Sequence, residues 1–188
     1  MKLTTFLLCT LALLPCRALA ADAGGNPKVV IDTNRGSITI ELYEKQAPAT
    51  VANFLKHVDA GFYSGLVFHR VIRDFMIQAG GLDAQMQKRA PLGVVQNESR
   101  NGLHNVRGTV AMARLDDPNS ATSQFFINVK DNASLDPLGA RAGYTVFGRV
   151  VSGMTTVDAI AAVSTGSRDG YDDVPLKPVV IESIERAP

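Results

Sequence analysis

Tryptophan is absent from the 188 residues, and cysteine occurs only at Cys9 and Cys16, both within the first twenty positions. A chain that loses those positions is expected to hold no thiol, which excludes disulfide scaffolding and thiol chemistry. Histidine is scarce: His57, His69 and His104 have no metal-ligand spacing, so no metal is expected. Charge of one sign is missing too. Lys and Arg number 19 against 18 Asp and Glu, a formal +1, so there is no basic field for phosphate backbones and no nucleic-acid partner is expected. No glycine-rich phosphate loop occurs. Ser120, Thr122 and Ser123 lack the accompanying His and Asp of a hydrolase. No apolar run reaches the ~20 residues that a membrane-spanning helix needs.

What is present begins with a targeting pattern. Lys2 gives a positive start, Leu3 to Leu14 is mostly apolar, and Ala18-Leu19-Ala20 is the small-x-small sequence that a signal peptidase cuts after. Residues 1–20 are therefore expected to be a cleaved signal peptide and 21–27 a flexible leader. Residues 28–188 are expected to form one domain. The short signal suggests a periplasmic location, with no membrane attachment once the signal is removed. A nearly neutral chain with 46% apolar residues is ample for one core without staples.

Along the body, Lys28–Thr33 and Ser37–Tyr43 are β-rich runs joined by Asn34-Arg35-Gly36, a hairpin pattern. Val51, Phe54, Leu55 and Val58 recur at helical spacing within Ala47–Ala60, and Gly61 is a stop. Further strands are expected at Leu66–Ile72, Phe75–Gln78, Thr109–Ala113, Ser123–Val129, Tyr144–Val151 and Pro178–Ile184, with a second helix over Gly153–Val163. Gly80 to Arg107 is long, polar and poor in bulky apolar residues, which marks it as a functional surface loop. Many short strands with two helices suggest a barrel or sandwich. No coiled coil or long exposed apolar run is visible, so a monomer is expected.

Two segments concentrate unusual residues: Phe68-His69-Arg70-Val71-Ile72-Arg73-Asp74-Phe75-Met76-Ile77-Gln78, and Met112-Ala113-Arg114 followed by Ser123-Gln124-Phe125-Phe126-Ile127. Together with Gly61-Phe62-Tyr63 and Val146-Phe147-Gly148-Arg149-Val150, they match in order and spacing the pattern of the cyclophilins. From about Lys28 onward the chain resembles that family, most of all its bacterial periplasmic members, through Ala121–Ala133. The resemblance implies a mainly β fold, an eight-stranded antiparallel closed barrel capped by two α-helices. It also implies peptidyl-prolyl cis/trans isomerisation without a cofactor. The partners would be proline-containing polypeptides, here unfolded or partly folded exported proteins. By position, Arg70 matches the catalytic arginine and Gln78 the glutamine that helps orient it. Phe75, Met76, Phe126 and Leu135 match the proline pocket. Ala113 and Arg114 match the strand that holds the substrate backbone, and Tyr144 falls where many members have histidine.

The chain departs from the family in two places. Arg73-Asp74 replaces a common Pro-Gly, a turn that Asp tolerates but which puts a carboxylate near Arg70. Ser134 replaces an aromatic residue, which implies a weaker hold on cyclosporin. By strand alternation His69 is expected to point away from Arg70, in a structural role. The alternative to an enzyme is a non-catalytic proline-peptide-binding module or holdase chaperone on the same fold.

Overall fold

The computed structural model describes residues 25–188. The expected signal peptide, both cysteines and the start of the leader lie outside the described residues.

Eight of the ten strands form one antiparallel sheet. β1 (Lys28–Thr33) and β2 (Gly36–Leu42) make the expected hairpin, and β1 also pairs with the last strand, β10 (Ile181–Arg186). The sheet continues from β2 through β7 (Val146–Ser152), β5 (Thr109–Met112), β6 (Phe125–Asn128) and β4 (Met76–Ala79) to β3 (Arg70–Ile72). The ladder does not close by itself, because β3 and β10 are its two edges. The gap is spanned by the chain before β3. Val67 bridges Val180, Gly65 N–H donates to Ile181 O at 2.9 Å, and Ile181 N–H donates to Leu66 O at 2.8 Å. The expectation of a closed barrel is thus corrected to a strongly curved half-barrel completed by a few irregular bonds. The run Leu66–Ile72 read as a single strand divides accordingly into this bridge and β3.

Alternation along the strands builds two apolar layers. Val71, Ile77, Val110, Phe125 and Ile127 face the interior, where Phe54 of α1 (Pro48–Asp59) packs against Tyr63, Phe125 and Phe147 with ring centroids 5.1–5.5 Å apart. Met76, Ala111, Phe126 and Val146 face outward as a second, smaller cluster. Period two explains why one short strand such as Phe125–Asn128 is wholly buried: each face has its own cover.

Helix α1 buries Val51, Phe54, Leu55 and Val58, as its spacing predicts, and Gly61 ends it in left-handed geometry at φ 63°. No side chain at its N-cap, Ala47, covers the free amides. Glu98, in the long polar stretch, does this from 48 residues away. Its carboxylate accepts from Ala49 N, Thr50 N and Thr50 Oγ1 at 2.7–3.1 Å. Part of that stretch is therefore a structural staple. The second helix, α2 (Met154–Ala161), packs near β2, β3 and β4. One element was not expected at all. A hairpin, β8 (Thr165–Arg168) and β9 (Tyr171–Pro175), lies beside β3, with Tyr171 and Val174 packed on Leu82 and Met86.

Candidate functional site

Strand register builds the site before any side chain is considered. Arg70 on β3 is paired with Gln78 on β4, Gln78 with Phe126 on β6, Phe126 with Ala111 on β5, and Ala111 with Val146 on β7. Paired residues point the same way, so this row runs across the outer face of the sheet at ~4.8 Å per strand. The next outward residue on β4 is Met76, two positions from Gln78. A groove of about 580 Å³ lies over this row, and all nine residues singled out in the sequence contribute to its lining.

The floor is apolar. Met76 is 2% exposed and Phe126 4%, while Phe75, Leu135, Ala113 and Tyr144 are partly buried against them. The Tyr144 ring meets Phe126 edge-on, with centroids 5.7 Å apart. Arg114 stacks its guanidinium 4.7 Å from the Tyr144 centroid and donates to the carbonyls of Leu115 at 2.8 Å and Ala142 at 2.9 Å. That arginine braces one wall of the groove. A second hollow of about 530 Å³ shares Gln78, Ala113, Arg114 and Gln124 with the groove and extends to Arg89 and Ser120.

The rim hangs on buried amides. Asn132 Nδ2 donates to Phe75 O at 2.8 Å and to Asn128 Oδ1 at 2.7 Å. Asn128 in turn donates to Asn105 Oδ1, and Asn105 donates to Asp136 Oδ1 and to Tyr144 O. Leu135 N–H donates to Asn132 O, and Tyr144 N–H to Leu135 O, both at 2.9 Å. Three pocket side chains from distant segments are thereby fixed to one ladder. Nothing local in the sequence marks these asparagines as partners. Asn132 is 4% exposed and both its amide bonds point inward.

Arg70 is the exposed cation of the row. Its side chain is 44% exposed, and Asp173 Oδ2 lies 3.7 Å from its Nε. The carboxylate anticipated as its competitor, Asp74, makes no ion pair with Arg70. Asp74 instead sits in the β3–β4 turn at φ 57°, the left-handed geometry its side chain tolerates. Gln78 is the cross-strand neighbour of Arg70, but its Nε2 donates to Gln124 Oε1 at 2.9 Å. The contact on the guanidinium therefore comes from Asp173, a residue that the sequence did not single out. His69 is 5% exposed, as alternation predicts, yet its ring still reaches the groove wall. Ser134 is exposed and belongs to a single 3-10 turn, Ala133–Leu135.

Known proteins share this fold and much of this sequence. The family described as cyclophilin type peptidyl-prolyl cis-trans isomerase/CLD matches residues 28–186. A peptidyl-prolyl cis-trans isomerase of Streptomyces antibioticus is 55% identical over 158 residues, covering 82% of this chain and 95% of its own. Peptidyl-prolyl cis-trans isomerase B of Escherichia coli is 48% identical over 159 residues, covering 83% and 97%. Among solved structures, a cyclophilin type isomerase of Cryptosporidium parvum in the presence of the dipeptide Ala-Pro superposes with a TM-score of 0.70. It is 26% identical, with 86% of this chain and 99% of that one covered. The chain belongs to the cyclophilin-type peptidyl-prolyl cis-trans isomerases, and its activity is rotation about the X–Pro peptide bond.

Proposed function

We propose that the outer groove is where this isomerisation occurs, with Arg70 as the catalytic residue and exported polypeptides as substrates. The observation that carries the reading is the single register row in which the Arg70 cation, the Gln78 amide and the Phe126 ring share one face of the sheet. An X–Pro bond turns slowly because its resonance must be broken, a barrier of ~18–20 kcal/mol. No covalent bond is exchanged, so the protein needs only to favour the twisted amide over the planar one.

Twisting returns a lone pair to the prolyl nitrogen. A guanidinium, always charged and carrying several N–H donors, can donate to that nitrogen and hold a neighbouring carbonyl. Phe75, Met76, Phe126 and Leu135 grip the ring, Tyr144 closes the far wall, and Ala113 and Arg114 run beside the substrate backbone. Gln78, fixed by Gln124, flanks the guanidinium. Every lining side chain comes from one chain, so a monomer is sufficient. In an exchange experiment on a short X–Pro peptide, a catalytic amount of the protein is expected to speed cis/trans exchange, with shifts confined to groove resonances. Groove shifts without acceleration would leave only the binding-module reading.

The export part of the proposal rests on the Lys2 to Ala20 pattern. The domain is taken as 28–188, preceded by a leader at 21–27. Expressed at full length in a Gram-negative host, the protein is expected in the periplasmic extract with Ala21 as its first residue by mass spectrometry. An uncleaved chain retained in the cytoplasm would overturn that part alone.

A further inference from the structure

The charged partner of Arg70 lies on the hairpin that hydrophobic patterning does not reveal. β8 and β9 turn at Asp169-Gly170, both left-handed at φ 52° and 80°. The hairpin is held from two sides: Ser167 Oγ donates to Asp172 Oδ1 at 2.6 Å, and Tyr171 and Val174 pack on Leu82 and Met86. Asp173 follows, itself left-handed at φ 60°, and its Oδ2 lies 3.7 Å from Nε of Arg70. The two strands are neighbours in space, and Tyr171, Asp172 and Asp173 all line the groove. Among the described residues the Arg70 guanidinium has no other ion pair and makes no hydrogen bond. The contact is on the Nε edge, so the two terminal nitrogens remain uncommitted.

We propose that Asp173 is a positioning residue for the isomerisation: it steadies the guanidinium by its Nε edge so that the terminal nitrogens face the prolyl nitrogen. The inference rests on Arg70 being catalytic. A free arginine side chain spreads over many rotamers, and a donor acts in a twisted transition state only from a narrow range of positions. The carboxylate narrows that range. It also draws on the cation's field, so its net benefit is moderate. The exposures of the two side chains, 44% and 40%, place the pair among the weaker ion pairs. Gln78 does not serve as the anchor here: its Nε2 donates to Gln124, and its Oε1 makes no hydrogen bond to the guanidinium.

The left-handed backbone at position 173 decides the variant. Asparagine tolerates that geometry and matches aspartate in size, so Asp173→Asn removes the charge and keeps the turn. In Asp173→Asn, kcat/KM for a short X–Pro peptide is expected to fall about five-fold, chiefly in kcat, with KM little changed. Added salt should lower wild-type activity toward the variant's. In an Arg70→Ala background the same substitution should change nothing. Full kcat in Asp173→Asn, or an equal loss with Arg70 already absent, overturns the positioning role. Arg70→Ala measured alone reports separately on the catalytic reading: wild-type turnover there removes the premise, whatever Asp173→Asn does.

Discussion

Arg70→Ala is expected to lower kcat/KM by about 10²–10³, equivalent to ~3–4 kcal/mol, while leaving peptide binding nearly intact. The size follows from what the residue is asked to do. A proline ring seated on the apolar floor displaces water beside the donor, and the donor's field there is then stronger than in bulk solvent. Binding is another matter, because the ring is gripped by Met76 and Phe126, which the substitution does not touch. The loss should therefore fall on kcat. The fold should not suffer, since the side chain is 44% exposed and its one ion pair is long at 3.7 Å. Arg70→Lys is expected to lie between, because an ammonium keeps the charge but not the planar fork. Turnover by exchange spectroscopy, with far-UV circular dichroism as the folding control, decides the matter. A fully active Arg70→Ala would mean that the groove works by binding and desolvation alone.

The roles behind that prediction were legible through the resemblance to the cyclophilins, and alternation alone parts Phe125 and Phe126 to opposite faces. Strands were expected at Leu66–Ile72 and Phe75–Gln78; the register that sets Arg70 beside Gln78 came from the structure. Helix α1 was legible too, since its apolar stripe is long and regular. Features made by long-range pairing of polar groups were not. Glu98 caps α1 across 48 residues, and nothing local to either segment marks the partnership. The Asn132–Asn128–Asn105 ladder looks like loop composition until the segments converge.

The β8–β9 hairpin is a different kind of omission. Its strands hold few apolar residues, because they cover an edge of the sheet over a small cluster and need no regular alternation. The signal that existed was Asp169-Gly170, a dipeptide suited to tight hairpin turns, and it outweighs weak patterning. Closure failed as an expectation for a related reason. Periodicity identifies strands, but whether the last edge meets the first depends on a few irregular bonds between 65–68 and 179–181.

Acid should destabilise the protein in a window set by its buried histidines, and His69 contributes most. Burial is the main cause that lowers its pKa from 6.5 to about 4; the Arg70 charge adds to this, while the Val67 backbone and Gln124 side chain oppose it. Its Nδ1 is buried without a hydrogen-bond partner among the described residues, so a second proton there would be poorly received. His57 is lowered in the same direction by burial; its ring contacts Asn53 O through Nδ1 and accepts from Leu92 N–H through Nε2. A base whose folded pKa lies below its unfolded value binds its proton more readily in the unfolded chain. The stability it contributes is therefore complete above pH ~6.5, falls as pH drops below that value, and levels off near pH ~4. For His69 alone the full loss is about 3 kcal/mol, from a gap of ~2.5 pH units at 1.36 kcal/mol each. Urea midpoints measured between pH 7 and 4 should fall accordingly, and His69→Gln should flatten most of the slope. A midpoint that holds steady down to pH 4 would mean that the ring is charged or hydrated in the folded protein, and that His69 is no buried neutral prop beneath Arg70.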